Sequence, residues 1–393
     1  MANNGDRINP MPEEKLFNRN FVLLCLSNMC TGLTFFMVVP VLALYLTQEL
    51  GASKALAGII IAVHAVAALL IRPFSGLLVD RFQRKPLMLL ALAGHVVASL
   101  GYIFFTNLAI LCLFRFAQGA VFSISSTAVN TAAVDNIPRS KLGTGIGLFG
   151  VLLSLSMALA PMFGIMLHDR YSSRLPFIAS SCCALLSLIF ASFLHSPRRE
   201  IAQQKPGFSL DSLFLKSGAL AVLCYGMTMF GYGLLTNYVS LLAAERGFVE
   251  NSGFFFMFLS CGMVLSRLFA GAMLDRGRLR QAVLIGYGFV LTGVTVFVAV
   301  QNPFIFLFSG LVLGVGYGCC MPSFQALLLG LARPDQTGTA NSTFYLAMDI
   351  SIGMAAFAGG LIADQTSLSF TYSFGGMLAL GACLLFGLRV KPR

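Results

Sequence analysis

The chain is a succession of long apolar stretches separated by short polar ones. An apolar stretch of about 20 residues can cross the hydrocarbon core of a bilayer as a helix. Twelve such stretches are present, and the pattern therefore predicts an all-α integral membrane protein with 12 transmembrane helices. We place the spans roughly at 20–46, 55–79, 86–106, 109–134, 143–167, 175–195, 217–243, 253–274, 281–300, 304–331, 340–363 and 369–388.

The second half of the chain repeats the first at an offset of 195 residues. Residues 72–81 and 267–276 are identical at five of ten positions, and each ends an apolar stretch with Asp-Arg. Six spans per half is an even number, so both halves should have the same orientation, related by an axis along the membrane normal. This predicts two pseudo-symmetric six-helix bundles. Further matches at the same offset are Gly119 with Gly314, Gly143-Thr144 with Gly338-Thr339, and Gly164 with Gly359.

The polar stretches set the domain boundaries. The longest one within the chain, 196–216, is rich in charge and proline and is interpreted as the linker between the halves. We therefore expect an N-terminal bundle at 20–195 and a C-terminal bundle at 217–388. Residues 1–19 and 389–393 are predicted to be tails.

Composition agrees with a membrane protein. Hydrophobic residues make up 57% of the chain and charged residues 10%, whereas a soluble domain carries about 25% charged residues. Of the 26 Lys and Arg, nineteen fall in the tails and the loops on their side, and four in the loops of the other side. This bias places both termini, the linker and both Asp-Arg turns in the cytoplasm.

The +11 net charge does not indicate a nucleic-acid partner, because the basic residues form no stripe. Short tails without a targeting extension lead us to expect the cytoplasmic membrane of a bacterium, and a monomer. The ten cysteines lie in apolar stretches without zinc-ligand spacing, so we expect no metal. The sequence has no nucleotide-binding loop or hydrolase motif, so we expect no cofactor and no enzyme activity.

Three motifs resemble the major facilitator superfamily, and the resemblance covers essentially the whole chain. The first is Gly76-Leu-Leu-Val-Asp-Arg-Phe-Gln-Arg-Lys85, where Gln83 replaces the family's second glycine. The second is Arg115-Phe-Ala-Gln-Gly119 in the fourth span. The third is the fifth span, whose Ala160, Pro161 and Gly164 look like the motif of the twelve-helix drug and metabolite antiporters.

The resemblance implies alternating access with a gate at the Asp-Arg turns. By resemblance, the turn after span 2 clamps the halves together, and Gly76 lets span 11 approach closely. The same Asp-Arg pair of residues returns at the second turn, which favours the gate, and an anchor that merely enforces topology is the alternative. The gate residues we assign are Gly76, Asp80, Arg81, Arg84, Lys85, Asp275 and Arg276.

Four charged residues inside the spans are candidates for charge or proton coupling. Arg115 is costly in a membrane unless it faces a cavity or a partner. Asp349 lies roughly 14 Å inside span 11, and Arg72 and Arg267 lie roughly 12 Å inside theirs. Because the depths match, Asp349 either pairs with Arg72 across the halves or with Arg267 within its own half. A neutral Asp349 that carries a proton is the other hypothesis.

By resemblance, spans 1, 4, 7 and 10 surround the substrate path. Aromatic, methionine and amide side chains there suit an amphipathic or cationic organic ligand. Helix packing is the alternative role for each. The candidates are Phe35, Met37, Gln118, Phe122, Asn130, Tyr232, Asn237, Phe324 and Gln325.

The function predicted from these features is secondary active transport. We expect proton-coupled efflux of small organic molecules, with protons, a small organic substrate and the lipid bilayer as partners. A proton-coupled uptake symporter for a metabolite and a lipid flippase are the alternatives.

Overall fold

The computed structural model describes residues 16–195, 213–247, 252–299 and 301–389. Within them, twelve helices are long and apolar enough to cross a membrane, as predicted. In chain order the helices are α1 (Arg19–Leu44), α2 (Lys54–Arg81), α3 (Arg84–Phe104), α4 (Leu108–Asp135), α5 (Leu142–Arg170), α6 (Leu175–Ser192), α7 (Ala219–Glu245), α8 (Ser252–Asp275), α9 (Leu279–Ala299), α10 (Pro303–Leu331), α11 (Thr337–Gln365) and α12 (Leu368–Arg389).

Side-chain caps fix the beginning of several helices. Asn107 and Asn302 stand at equivalent positions of the repeat, before α4 and α10. Each accepts hydrogen bonds from two amides of the first turn that follows. Asn18 and Ser53 cap α1 and α2, and each accepts a hydrogen bond from one amide of the first turn. Such caps satisfy amides that have no partner within the helix.

Helix packing in the second half reproduces that in the first. In the first half (α1–α6), α1 packs on α5 and α6, α2 on α4, and α3 on α4 and α6. In the second half (α7–α12), α7 packs on α11 and α12, α8 on α10, and α9 on α10 and α12. The main contacts between the halves are α2 with α11 and α5 with α8. In the repeat α2 corresponds to α8 and α5 to α11, so the two interfaces are equivalent to each other.

Two equivalent glycines show that the same close helix crossing occurs in both halves. A Cβ atom on Gly119 of α4 would collide with the backbone oxygen of His64 in α2. A Cβ atom on Gly314 of α10 would collide with the backbone oxygen of Leu259 in α8. Both pairs are related by the 195-residue offset, so the same crossing is built twice from small residues.

The outer surface of the bundle is apolar. Large hydrophobic side chains such as Leu90, Phe269, Phe304 and Leu388 are exposed, as expected where lipid rather than water surrounds a protein. We name the surface that carries the α2–α3 and α8–α9 turns the basic face, and the other the opposite face. The predicted linker and tails fall largely outside the described residues, and the domain boundaries stay a prediction.

Candidate functional site

The first contact between the halves at the basic face is made by Asp80, near the end of α2. Its carboxylate accepts hydrogen bonds from the backbone amides of Gly338 and Thr339 at 2.7 and 2.8 Å, and from the Thr339 hydroxyl at 2.8 Å. These amides belong to the first turn of α11, whose own N-cap residue, Gln336, provides no side-chain cap. Asp80 therefore caps a helix of the other half, where the helix dipole favours a negative charge.

Asp275, at the end of α8, makes the equivalent contact with α5. It accepts from the amides of Gly143 and Thr144 at 2.6 and 3.1 Å, and also from the Thr144 hydroxyl. The N-cap residue of α5, Lys141, likewise provides no side-chain cap. We call these two sets of hydrogen bonds the α2–α11 cap contact and the α5–α8 cap contact.

The cap contacts require glycine where the helices cross. A Cβ atom on Gly76 would lie 2.9 Å from the backbone oxygen of Gly338 and would overlap the side chain of Ser342. A Cβ atom on Gly271, the equivalent residue, would lie 2.7 Å from Thr144 Cα and 2.8 Å from the Gly143 oxygen. All three distances are shorter than a normal van der Waals contact, so a side chain at either position would push the halves apart.

The basic residues near the two aspartates make contacts of their own. The hydrogen-bond partners of Asp80 and Asp275 are backbone amides and threonine hydroxyls. Arg84 instead forms an ion pair with Asp135 inside the first half, and Lys85 donates to the backbone oxygen of Leu194 at 2.6 Å. Arg81 is half-buried and Arg276 is exposed.

Arg72 and Asp349 meet across the α2–α11 interface. Arg72 donates to one carboxylate oxygen of Asp349 from Nε at 3.0 Å and from Nη2 at 2.8 Å. Its Nη1 donates to the Ser126 hydroxyl at 2.8 Å, and the guanidinium lies 5.1 Å from the centre of the Tyr345 ring. Of the two pairings left open by the sequence, the structure therefore contains the one between the halves.

Arg267 occupies the equivalent position on α8 but has no such partner. Its Nη1 donates to the backbone oxygen of Gly150 on α5, and its Nη2 faces the Met321 sulfur at 3.5 Å. Its Nε has no partner although the residue is only 6% exposed. In the described part of the chain, no Asp or Glu forms an ion pair with it.

An amide network joins the halves near the repeat axis. Gln325 of α10 donates to the side-chain oxygens of Asn130 and Asn341 at 2.8 and 2.9 Å. Asn130 of α4 donates to the Tyr345 hydroxyl at 2.9 Å, and Asn341 donates to the Thr131 hydroxyl at 3.1 Å. Asn130 and Gln325 are equivalent residues of the repeat, so their contact lies on the axis.

Arg115 lies in a separate cluster of the first half. It donates to Gln118 at 2.9 Å, and Gln118 also accepts from the Tyr102 hydroxyl at 2.7 Å. The Arg115 guanidinium lies 5.8 Å from the ring centre of Phe35, which stacks on Phe122 at 5.2 Å. Arg115 is 1% exposed and its Nε has no partner. This cluster has aromatic faces beside a buried positive charge, which suits an aromatic or anionic group.

The remaining candidates are scattered. Phe324 is fully buried in the core of the second half, against Tyr225 and Phe386, so its environment is that of a packing residue. Tyr232 is buried edge-on to Tyr317, whereas Asn237 is exposed and bonds its own helix at Gly233.

The residues of the fifth-span motif pack inside the first half. A Cβ atom on Gly164 would lie 2.7 Å from the backbone oxygen of Met37 in α1. Ala160, one turn away, is fully buried, and Pro161 lies within α5 without ending it. These small residues allow α1 and α5 to approach closely.

Several residues of these contacts were not assigned a role from the sequence. Gly143, Thr144, Gly338 and Thr339 were visible as a repeated Gly-Thr pair, which is the signal that could have pointed to the cap contacts. Tyr345 lies one turn from Asp349 on the same face of α11.

Comparison with known proteins agrees with this arrangement. The sequence model of the Major Facilitator Superfamily matches residues 24–297 and 263–393. The chain belongs to the major facilitator superfamily. Members of this superfamily are transporters rather than enzymes, so the chain is a multi-pass membrane transporter that binds small molecules within the membrane.

Relatives of this major facilitator chain span nearly its whole length. The uncharacterized MFS-type transporter YhhS of Escherichia coli (strain K12) is 22% identical over 388 residues, covering 95% of this chain and 94% of YhhS. YhhS of Salmonella typhi is 23% identical with the same coverage.

Two solved structures share the fold. The human organic anion transporter MFSD10 (TETRAN) superposes with a TM-score of 0.76 at 17% identity, covering 95% of this chain and 100% of that one. FucP in the outward conformation superposes with a TM-score of 0.75 at 14% identity, covering 96% and 100%. At these identities the likeness concerns the major facilitator fold alone.

Proposed function

We propose that the chain exports small amphipathic organic molecules in exchange for protons, by alternating access. The two cap contacts carry this proposal. Each is a helix cap supplied by one half to the other, and both lie at the same face. Releasing them together would open that face without unfolding either half, which is the requirement for a transporter built from two rocking bundles.

We further propose that the basic face is cytoplasmic. Its loops hold most of the basic residues, the arrangement that sets orientation in membranes. The cap contacts would then close the path toward the cytoplasm in this conformation. A bacterial cytoplasmic membrane is the location we infer, in agreement with the bacterial relatives.

Asp349 is our candidate for the proton-carrying residue. Its side chain is 25% exposed while Arg72 is 2% exposed, so the carboxylate is the more accessible member of the pair. Protonation would cancel one charge of a pair that joins α2 to α11 and thereby weaken that interface. The alternative is a purely structural pair.

The charges inside the bundle favour a substrate that is not a cation. Arg72, Arg115 and Arg267 are all buried, and Asp349 is the acid that faces one of them. Phe35 and Phe122 offer aromatic faces beside Arg115. The presence of an organic anion transporter among proteins of this fold supports testing anions as well as neutral compounds.

Amide hydrogen exchange tests the gate. In Asp80→Asn, the α2–α11 cap contact loses its charge, and exchange at Gly338 and Thr339 should rise. If the halves move as rigid bodies, exchange at Gly143 and Thr144 should rise with it. Asp135→Asn is the matched control, because it removes a carboxylate at the same face but within one half. A rise confined to the mutated interface would contradict concerted opening.

Transport in proteoliposomes tests the direction and the coupling. We would compare 2-naphthoate, 2-naphthylmethanol and 2-naphthylmethylammonium, which share a shape and differ in charge, under pH gradients of both signs. If the chain exports its substrate in exchange for protons, the transported compound should accumulate in the lumen of inside-out vesicles when that lumen is acidic. The opposite gradient dependence would indicate a symporter, and lipid scrambling without movement of these compounds would indicate a flippase. Unchanged pH-driven transport by Asp349→Asn would exclude an obligatory proton role for that residue.

A further inference from the structure

Two equivalent arginines of the repeat have different surroundings. Adding 195 to the residue number relates Arg72 to Arg267 and Ser126 to Met321, and both arginines contact these equivalent partners on α4 and α10. The same offset relates Ser154 of α5 to Asp349 of α11. The interface between α5 and α8 therefore has a hydroxyl where the other interface has the carboxylate.

Among the described residues, no carboxylate compensates the positive charge of Arg267. A guanidinium stays protonated in proteins, and burying a charge is costly unless it is paired. The backbone oxygen of Gly150 and the Met321 sulfur are neutral, and a thioether is a weak acceptor. Arg72, by contrast, has a carboxylate that takes two of its N–H groups.

Three buried hydroxyls in this region of the described chain have no hydrogen-bond partner. The Ser154 hydroxyl is 1% exposed and has no hydrogen-bond partner. Tyr225 is fully buried with an unpartnered hydroxyl, and both Tyr225 and Tyr232 lie near Arg267. Tyr317, which packs edge-on against Tyr232, also has an unpartnered hydroxyl. Hydroxyls without a partner, in the region of a cation that has no anionic partner among the described residues, point to an acceptor that these residues do not supply.

The residues of α5 at this point are small. Gly150 is equivalent to Tyr345, whose ring lies against Arg72. Ser154 lies one turn beyond Gly150 on the same face of α5. Two small residues therefore stand where the other interface has a tyrosine and an aspartate.

We propose that Arg267 binds the carboxylate of the transported molecule, in the place beside Ser154 that corresponds to Asp349 in the other interface. This deepens the proposed function and rests on it. A carboxylate matches the planar fork of a guanidinium, and the equivalent arginine already binds one. Because Arg267 lies between α8 and α5, an anion bound there would contact both halves. Such a ligand can shift the equilibrium between two conformations if one of them binds it better.

A carboxylate introduced into the chain tests the site without any ligand. Ser154→Asp should melt at a higher temperature than Ser154→Asn, which has nearly the same shape without the charge. The difference should disappear in the Arg267→Gln background, where the cation is missing. If Ser154→Asp melts no higher than Ser154→Asn, or if its advantage persists without Arg267, the proposal is overturned.

Ligand binding gives a second, independent test. Among benzoate, 2-naphthoate and indole-3-acetate, at least one should raise the melting temperature of the purified chain, and the neutral and cationic analogues should raise it less. Arg267→Gln should weaken carboxylate binding by more than about tenfold. Ser154→Asp should also weaken it, because its own carboxylate occupies the place. Arg174→Gln, which removes an arginine charge at an exposed position, should bind as the wild type does.

The outcomes separate this inference from the proposed function. Transport of 2-naphthylmethanol with no response to any of the carboxylates would overturn the inference and leave the transporter proposal standing. Carboxylate binding that depends on Arg267 but is not accompanied by movement across the membrane would support the site and contradict the transport proposal. Binding of carboxylates that is unchanged in Arg267→Gln would overturn the inference.

Discussion

The α2–α11 and α5–α8 interfaces are alike at the basic face and different farther in. Both have an aspartate that caps the helix of the other half and a glycine that allows the close crossing. About 12 Å deeper, Arg72 has Asp349, whereas Arg267 has Gly150 and Met321. The repeat has kept the features that hold two backbones together. It has diverged at the side chains that face the middle of the membrane, where a transported molecule would bind.

The largest effect should come from removing the carboxylate at Asp349. In Asp349→Asn the buried Arg72 loses its ion pair, and we expect a loss of about 2–4 kcal/mol in the free energy of unfolding, since one partner of a buried pair is left alone. The change can be measured by unfolding in mixed micelles with increasing SDS. The double variant Arg72→Gln/Asp349→Asn should recover a large part of the loss. A double variant no more stable than Asp349→Asn would show that the pair is not what the first substitution breaks.

The glycines at the two crossings should come next. Gly76→Ala and Gly271→Ala should each destabilise the closed basic face by about 1–3 kcal/mol, the usual cost of overpacking. Gly271→Ala should cost more, because the atoms nearest its new Cβ are backbone atoms of Gly143 and Thr144. At Gly76, part of the obstacle is the Ser342 side chain, which can rotate. Amide exchange at the starts of α5 and α11 would report the opening, and equal or reversed effects would contradict this ranking.

The contact on the repeat axis should matter less. Asn130→Ala removes hydrogen bonds to Tyr345 and from Gln325, and we expect a cost of about 1–2 kcal/mol, since each hydrogen bond inside a protein contributes about 1 kcal/mol. Gln325→Ala should cost a similar amount. Because the two residues share one hydrogen bond, the double variant should cost less than the sum, as measured by the same unfolding titration. Strict additivity would mean that the bond between them contributes nothing.

Ser154→Ala should have the smallest effect. The hydroxyl has no partner, so its removal should change the free energy of unfolding by no more than about 0.5 kcal/mol, and the sign could favour the variant. The contrast with Asp349→Asn at the equivalent position compares the two interfaces directly. A large loss in Ser154→Ala would mean that this hydroxyl has a structural role after all.

Much of the fold could be predicted from the sequence. Long apolar stretches indicated the twelve helices, because a helix that crosses a membrane needs about 20 apolar residues. Motifs that recur at an offset of 195 residues indicated the two halves. Because Arg72 and Asp349 lie at similar depth in the membrane, their ion pair was one of the two pairings that the sequence left open. The repeated Gly76 and Asp80 indicated where the halves approach each other.

The partners within the site were harder to predict. Asp80 and Asp275 bind backbone amides, which every residue except proline provides, so the repeated Gly-Thr pair was the one sign of these partners in the sequence. Phe324 was a candidate for the path but lies in the core, because an apolar helix gives little sign of which face is inside. That Arg267 has neutral partners, Gly150 and Met321, could be recognised only from the structure, which shows what lies beside its guanidinium.

The Asn130–Gln325 hydrogen bond has a geometric consequence for motion. Both residues lie within about two turns of the ends of their helices at the basic face. A tilt of the halves in opposite senses turns about a line in the membrane plane, and displacement grows with distance from that line. If the halves part at the basic face, this amide pair must therefore separate together with the two cap contacts, so it works as a third latch between them and not as a pivot.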